Sequence, residues 1–138
     1  MVGIYTKIND IVISDSSTRW NINHWYGMVS GVTNRASIYT LELSNILYKV
    51  NFRGFANATN LESLVMYYQG SEAITLEDYC FKGCISLNVI KLYVPITSTF
   101  NVGVDAFDGL PTTGTLYGYA DWRSTLSLGS GWTFVQLD

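Results

Sequence analysis

The sequence is poor in charged residues and in the residue types that most often carry catalysis or bind metals. Only 14% of its 138 residues are Asp, Glu, Lys or Arg, and His24 is the single histidine. A zinc site or a His-based nucleophile system would depend on that one residue, and no Ser or Cys motif accompanies it. The carboxylates show no spacing that predicts an acid–base pair. We therefore expect no enzymatic activity, no metal site and no cofactor.

Basic clusters and long apolar runs are absent as well. The eight Lys and Arg are scattered and the net charge is −3, which argues against nucleic-acid binding, because phosphate contacts require a concentrated basic surface. No stretch approaches eighteen consecutive apolar residues, so we expect no membrane insertion. Residues 1–7 lack a basic start followed by an apolar run, so they do not predict a secretory signal. Proteins, glycans and structural subunits stay open as partners.

The feature that the sequence does have is a short pattern repeated at a fixed interval. Phe55, Phe81 and Phe107 are separated by 26 and 26, and Val29 stands 26 before Phe55. Related side chains follow at steps of three in all four copies: Val29-Val32-Arg35-Ile38, Phe55-Ala58-Leu61-Leu64, Phe81-Cys84-Leu87-Ile90 and Phe107-Leu110-Thr113-Leu116. A fixed period in the twenties is typical of a solenoid, in which each unit buries its apolar face against its neighbours.

The fold predicted from this period is mainly β, with short helical or 3₁₀ turns, built as a capped leucine-rich-repeat solenoid of about four 26-residue repeats. The pattern Leu-x-x-Leu-x-Leu predicts a strand in each unit, and the apolar residues at every third position before it predict the turn. Residues 1–28 would form an N-terminal cap, residues 29–118 the repeats and residues 119–138 a C-terminal cap of the same domain. Within the last segment, residues 121–126 predict one or two helical turns and residues 132–135 a closing strand.

Alternation along the predicted strands separates inward from outward side chains. The inward ladders would be Ile38, Leu64, Ile90, Leu116 and Thr40, Met66, Leu92, Gly118, with a further inward column of Val50, Leu76 and Val102. The outward columns would be Tyr39, Val65, Lys91, Tyr117 and Leu41, Tyr67, Tyr93, Tyr119. Tyrosine supplies apolar area and a hydroxyl at low entropic cost, so we predict a partner-binding surface at Tyr39, Tyr67, Lys91, Tyr93, Tyr117 and Tyr119. The alternative is that these tyrosines only stabilise the sheet or lie under a cap.

The two cysteines occupy positions that other copies fill with small apolar residues. Cys84 stands where the other copies have Val32, Ala58 and Leu110, and Cys80 stands where the next copy has Ala106. Both positions predict buried thiols that behave as small hydrophobes. A disulfide between neighbouring turns would constrain almost nothing, and a two-cysteine metal site lacks clustered partners.

Three segments of the chain together form a recognisable pattern. They are residues 80–92, Cys-Phe-Lys-Gly-Cys-Ile-Ser-Leu-Asn-Val-Ile-Lys-Leu, the partial copy at residues 106–110, and the tail in which Gly114–Tyr117 is followed by Trp122 and Trp132. This pattern resembles the BspA-type leucine-rich repeats of bacterial surface proteins. It covers residues 50–118 well and residues 29–49 less closely. What it implies is attachment to proteins or host surfaces without catalysis, at the cell surface or outside the cell.

Two functional hypotheses follow from the repeats and the resemblance. In the first, the chain is a binding or adhesion module that recognises a protein or glycan on a cell surface. In the second, it is a bacteriophage virion or tail-fibre component that acts structurally or binds a receptor, since small repeats of this kind also occur in such particles. A homo-oligomer or assembly into a larger particle fits the second hypothesis. The sequence Leu110-Pro111-Thr112-Thr113-Gly114 matches a sortase anchoring motif, but its residues fall in repeat register and we interpret the match as accidental.

Overall fold

The computed structural model describes residues 19–22, 28–29, 39–43, 49–50 and 54–138. In these ranges the chain is mainly β and contains no helix. The strands described are β1 (Arg19–Ile22), β2 (Met28–Val29), β3 (Thr40–Leu43), β4 (Lys49–Val50), β5 (Ser63–Tyr67), β6 (Ile74–Leu76), β7 (Val89–Tyr93), β8 (Phe100–Val102), β9 (Thr113–Gly118) and β10 (Gly131–Gln136).

Successive strands alternate between two parallel sheets. Among the described residues, the larger sheet has six strands in the order β1-β3-β5-β7-β9-β10, and the smaller has four in the order β2-β4-β6-β8. Parallel neighbours cannot be joined by a tight hairpin, and here the chain visits the other sheet between one strand and the next up to β9. The spacing is constant in the middle of the chain, where Ser63 pairs with Val89 and Val89 pairs with Thr115.

The core lies between the inner faces of the two sheets. Leu64, Ile90 and Leu116 are paired side by side across the larger sheet, and all three are fully buried. In the smaller sheet, Val50, Leu76 and Val102 form the matching column. The inward ladders predicted for residues 50–118 are therefore confirmed, because the alternation of a strand places every second side chain on the same face.

The three phenylalanines of the repeat stack on one another inside this core. The ring centroids of Phe55 and Phe81 are 5.5 Å apart, those of Phe81 and Phe107 are 5.3 Å apart, and both pairs are within 11° of parallel. Stacked aromatic pairs contribute about 0.5–1.5 kcal/mol beyond the area they bury. The period seen in the sequence thus corresponds to physical contact between equivalent side chains.

The segments around these phenylalanines are turns, and the predicted helical or 3₁₀ segments are not found in the described residues. Single i to i−3 hydrogen bonds recur, as from Cys84 N–H to the carbonyl of Phe81, but they do not join into a helix. Other N–H groups donate to the next copy instead, from Phe81 to Ala106 at 2.8 Å and from Gly83 to Asp108 at 2.8 Å. A backbone donor used between copies cannot continue a helix, and positive φ values at Gly83 and Gly109 interrupt one as well.

The register predicted for the first copy is wrong. Leu41 pairs with Leu64 and Leu43 with Met66, so this spacing is three positions shorter than the one that separates Leu64 from Ile90. The stretch from Leu43 to Val50 is shorter than the one from Met66 to Leu76 by the same amount, so the difference lies in the connection between the sheets. Thr40, predicted to face inward, pairs with Ser63. Ile38 lies outside the described residues.

Both ends of the larger sheet reach into the predicted caps. β1 belongs to the segment 1–28 and pairs in parallel with β3, so the sheet extends into the N-terminal segment. At the other end, the predicted closing strand is confirmed, since β10 pairs in parallel with β9. Residues 123–127 form a turn in which Leu126 N–H donates to the carbonyl of Trp122 at 3.0 Å. In the described part of the chain, no helix is long and apolar enough to span a membrane.

Candidate binding surface

Three predicted site residues meet at the carboxyl ends of neighbouring strands in the larger sheet. Tyr67 and Tyr93 are the last residues of β5 and β7 and are paired in register, and Tyr119 follows directly after β9. The rings of Tyr67 and Tyr93 are stacked, with centroids 4.8 Å apart and planes 9° from parallel. Tyr119 meets Tyr93 edge-on, with centroids 6.3 Å apart. We call these three residues the tyrosine cluster.

The stacking determines what the tyrosine cluster can offer a partner. Tyr67 and Tyr93 turn a ring face toward each other, and the rings of Tyr93 and Tyr119 form a T-shaped pair. Sugar rings stack on open aromatic faces, whereas a protein can contact ring edges and hydroxyl groups. Tyr67 is 38% exposed and Tyr93 and Tyr119 are half-buried, so the cluster is accessible to a partner.

Lys91 and Tyr117 form a second contact beside the cluster. They are direct cross-strand partners on β7 and β9, and the Lys91 ammonium lies 5.3 Å from the centre of the Tyr117 ring. A cation over an aromatic face is stabilised by about 0.5–1 kcal/mol at an exposed site. Val65, the next outward residue in this row, is 7% exposed. Of these three outward residues, Lys91 and Tyr117 are therefore the ones that a partner can reach.

Tyr39 is not in this row, contrary to the prediction. The shifted register of β3 makes Glu42 the partner of Val65, while Tyr39 precedes the strand and its carbonyl accepts from Glu62 N–H at 2.9 Å. Leu41, predicted to face outward beside Tyr67, is fully buried in the core. A one-residue change in register exchanges the two faces of a strand, and a shift of three has the same effect. Of the six predicted site residues, five lie at or beside the cluster and Tyr39 does not.

The segments next to the tyrosine cluster contribute polar side chains that the repeat period did not single out. Gln69 Nε2 donates to the carbonyl of Tyr93 at 3.3 Å, and Gln136 Nε2 donates to that of Tyr119 at 2.8 Å. The buried Tyr68 accepts from Glu72 N–H through its hydroxyl at 3.0 Å, which closes the loop after Tyr67. These contacts connect residues that do not recur at the repeat period, so the period could not reveal them.

The two cysteines are buried away from this surface and form no disulfide. Cys84 donates through Sγ to the carbonyl of Phe55, 3.3 Å away in the preceding copy. Burial, and then the neighbouring Cys84, raise the pKa of the Cys80 thiol well above its ordinary value of 9.0. Since the thiolate is the nucleophile and the metal ligand, the raised pKa disfavours both roles for Cys80. The burial of Cys80 and Cys84 confirms the prediction of buried thiols.

No group of three or more His, Cys, Asp or Glu side chains suited to a metal ion occurs among the described residues. His24 lies outside them. The ion pair between Asp121 and Arg123 is bidentate, with Arg123 Nη2 2.7 Å from Asp121 Oδ2 and Arg123 Nε 2.9 Å from Oδ1. The hydrogen bond from Arg123 lowers the pKa of the Asp121 carboxyl. The same guanidinium donates to the carbonyl of Trp132 at 2.8 Å, so this pair links the segment before β10 to that strand.

The sequence that matches a sortase motif is built into the sheet. Thr113 and Gly114 begin β9 and pair with Gly131 and Trp132, and the carbonyl of Pro111 accepts from the Trp132 indole at 3.0 Å. A Cβ at Gly114 would lie 2.7 Å from the Trp132 ring. The glycine therefore has a packing role here.

Comparison with known proteins identified no relative of this chain. No family model matches the chain, and neither a curated protein nor a solved structure has significant similarity to it. The functional argument consequently depends on the residues and contacts described above.

Proposed function

We propose that the chain is a non-enzymatic binding module whose fold is a short, capped leucine-rich-repeat solenoid related to the BspA type. Support comes from the constant spacing of paired strands between β5 and β9, from the stacked phenylalanines at the same spacing, and from the alternation of two parallel sheets. In such an array each unit buries its apolar side against its neighbours and leaves the outer strand residues for recognition.

The observation that carries the proposal is the tyrosine cluster at the carboxyl ends of β5, β7 and β9. Three aromatic side chains contact one another there, and the positive charge of Lys91 lies in the adjacent row. Tyrosines are enriched in binding surfaces because they are amphipathic and have few rotatable bonds. Since the two stacked rings cover a face of each other, we favour a protein partner, which would be contacted through ring edges and hydroxyls. A glycan is the competing partner.

The proposal is tested by comparing wild type with the double variant Tyr67→Ser/Tyr93→Ser. Labelled protein is added to intact cells that are untreated, protease-treated or periodate-treated, and retained fluorescence is measured. We expect wild-type binding that protease abolishes and the double variant lacks. Binding lost only after periodate would identify a glycan, whereas binding unaffected by the tyrosine changes would refute the assignment of the surface. Ile85→Ser/Val104→Ser is the matched control, because both side chains are exposed and apolar and lie in turns outside the cluster.

The alternative hypothesis, that the chain is a virion or tail-fibre component, makes a different prediction for the same proteins. If the tyrosine cluster is an assembly surface, light-scattering chromatography will show a wild-type oligomer that Tyr67→Ser/Tyr93→Ser converts to a monomer. A monomeric wild type favours the adhesion hypothesis. An oligomer that the double variant leaves intact would place the assembly surface elsewhere on the chain.

A further inference from the structure

The last repeat ends in backbone donors that have no acceptor among the described residues. In the preceding copy, Tyr79, Phe81 and Gly83 donate their N–H groups to the carbonyls of Val104, Ala106 and Asp108, at 3.0, 2.8 and 2.8 Å. The equivalent donors in the next copy are the N–H groups of Asp105, Phe107 and Gly109. In the part of the chain that the structure describes, none of these three donates to a protein acceptor.

The reason is that the chain returns to the larger sheet too early to build another complete repeat. Gly131 of β10 pairs with Thr113 of β9, so these partners are eight positions closer along the chain than Lys91 of β7 and Tyr117 of β9. The shorter connection supplies no strand next to β8, which ends the smaller sheet. It also supplies no further turn to accept from Phe107.

An opening lies where that turn would have been. A cavity of about 310 Å³ is bounded on one side by Asp105, Phe107 and Gly109 and on the other by Leu126, Leu128 and Trp132. Its volume is at the lower end of the range for ligand sites, and its walls combine apolar side chains with backbone groups. Another donor at this end is also unsatisfied, since the buried Trp122 Nε1 has no partner among the described residues and its ring packs edge-on against Phe100 of β8 at 4.8 Å.

We propose that this end of the stack binds a peptide segment of a partner protein that adopts the turn conformation of the repeat. Alternate carbonyls of the peptide accept the N–H groups of Asp105, Phe107 and Gly109, and one of its apolar side chains enters the cavity. We infer a peptide because the same kind of contact already joins the last two turns, where N–H groups of one turn donate to alternate carbonyls of the next. Main-chain hydrogen bonds to unpaired backbone groups are a general source of affinity in peptide recognition.

The exposed carboxylates at the rim of the cavity favour a peptide that carries a basic residue. Asp105 and Asp108 are exposed, and Asp108 already lies 3.9 Å from Lys82 of the preceding turn. A basic residue directly after the apolar one would repeat that arrangement with the rim carboxylates. The segment Glu77–Leu87, in which Lys82 follows Phe81, has this order and therefore serves as the probe.

The experiment titrates full-length protein with a synthetic peptide of residues 77–87 that carries Cys80→Ala and Cys84→Ala. Amide signals are followed by ¹H–¹⁵N NMR, and amide hydrogen exchange is measured with and without peptide. We expect the signals of Asp105, Phe107 and Gly109 to shift and their exchange to slow. A peptide with Phe81→Ala should bind about tenfold more weakly, which corresponds to ~1.4 kcal/mol.

Two protein variants make the result decisive. Thr112 borders the cavity and its side chain is exposed, so Thr112→Trp should obstruct the opening and weaken binding by about tenfold. Thr125 is exposed on the neighbouring turn but does not line the cavity, and Thr125→Trp should bind like wild type; the NMR spectrum reports whether each variant is folded. The proposal is overturned if exchange at the three amides is unchanged at saturation or if the Ala peptide binds equally. If the three amides are protected from exchange without peptide, and more so at higher protein concentration, the proposal of a partner peptide is overturned in favour of a second copy of this chain.

Discussion

Leu41 lies directly beside Leu64 in the larger sheet, although the two are three positions closer along the chain than Leu64 and Ile90, which are paired in the same way. The difference arises between the sheets, where the earlier connection is shorter by the same amount. Strand pairing therefore follows the fit of buried side chains, and the connection absorbs the change in length. This is the expected order of priorities, since loops tolerate deletions far better than a core tolerates a register shift.

The pairing of Leu41 predicts a clear difference between two neighbouring positions. Leu41→Ala removes a fully buried side chain and should lower the free energy of unfolding by about 2–5 kcal/mol. Tyr39→Ala, at a half-buried position before β3, should have a smaller effect. Urea denaturation of both variants measures this. The register predicted from the repeat period places Leu41 on the outer face, so a loss below about 0.5 kcal/mol for Leu41→Ala would favour that register and contradict the pairing described here.

The stack of phenylalanines predicts that its middle member contributes strongly to stability. Phe81 is fully buried and contacts rings on both sides, so Phe81→Ala should cost about 3–5 kcal/mol. Ile85→Ala is the control, because that side chain is 61% exposed and should change stability by less than about 0.5 kcal/mol. Chemical denaturation at one pH compares the two, and equal effects would contradict the stacked core.

Gly83 and Gly109 occupy equivalent positions and predict unequal effects of the same substitution. Both have positive φ, +80° and +85°, so alanine at either should be strained by about 1–2 kcal/mol. A Cβ on Gly83 would in addition collide with Asn57 Oδ1, whereas one on Gly109 would meet only the backbone of Gly83 at 3.4 Å.

We therefore expect Gly83→Ala to lower the thermal midpoint more than Gly109→Ala does. The comparison isolates the contact between copies, because the backbone strain is common to both variants. Identical midpoints would show that Asn57 moves aside at no cost.

The raised pKa of Cys80 predicts how stability depends on alkaline pH. In the folded chain the thiol stays protonated above its ordinary pKa of 9.0, but in the unfolded chain it ionises there. The unfolded state therefore loses a proton first, and the free energy of unfolding should fall above pH 9 by up to about 1.4 kcal/mol per pH unit from this group.

Two measurements check this. The slope of unfolding free energy between pH 9 and pH 10 should be shallower in Cys80→Ala than in wild type. A thiol reagent at pH 9 should label native protein only at the rate of unfolding. Rapid labelling of Cys80 in the native state would contradict its burial.

Sequence periodicity by itself determined the central part of this protein. Residues 50–118 repeat at constant length, so equivalent side chains fall at equal heights in parallel sheets. For this reason the inward ladders, the column of Val50, Leu76 and Val102, the buried cysteines and the strand at residues 132–135 could all be predicted. The partners Tyr67 and Tyr93 followed from the same rule, since alternation along a strand is a local property.

Only the tertiary structure decided the features that depend on contacts between copies. The turn residues donate to the next copy and not to their own carbonyls, which replaced the expected helical turns. The burial of Leu41 fixed the first register and separated Tyr39 from the row of Lys91. The face-to-face contact of Tyr67 with Tyr93 arises from ring orientation, and the amides of the last turn lack acceptors in the described part of the chain because the following connection is too short. Neither has a local sequence signal, because each is a property of two chain segments brought together by folding.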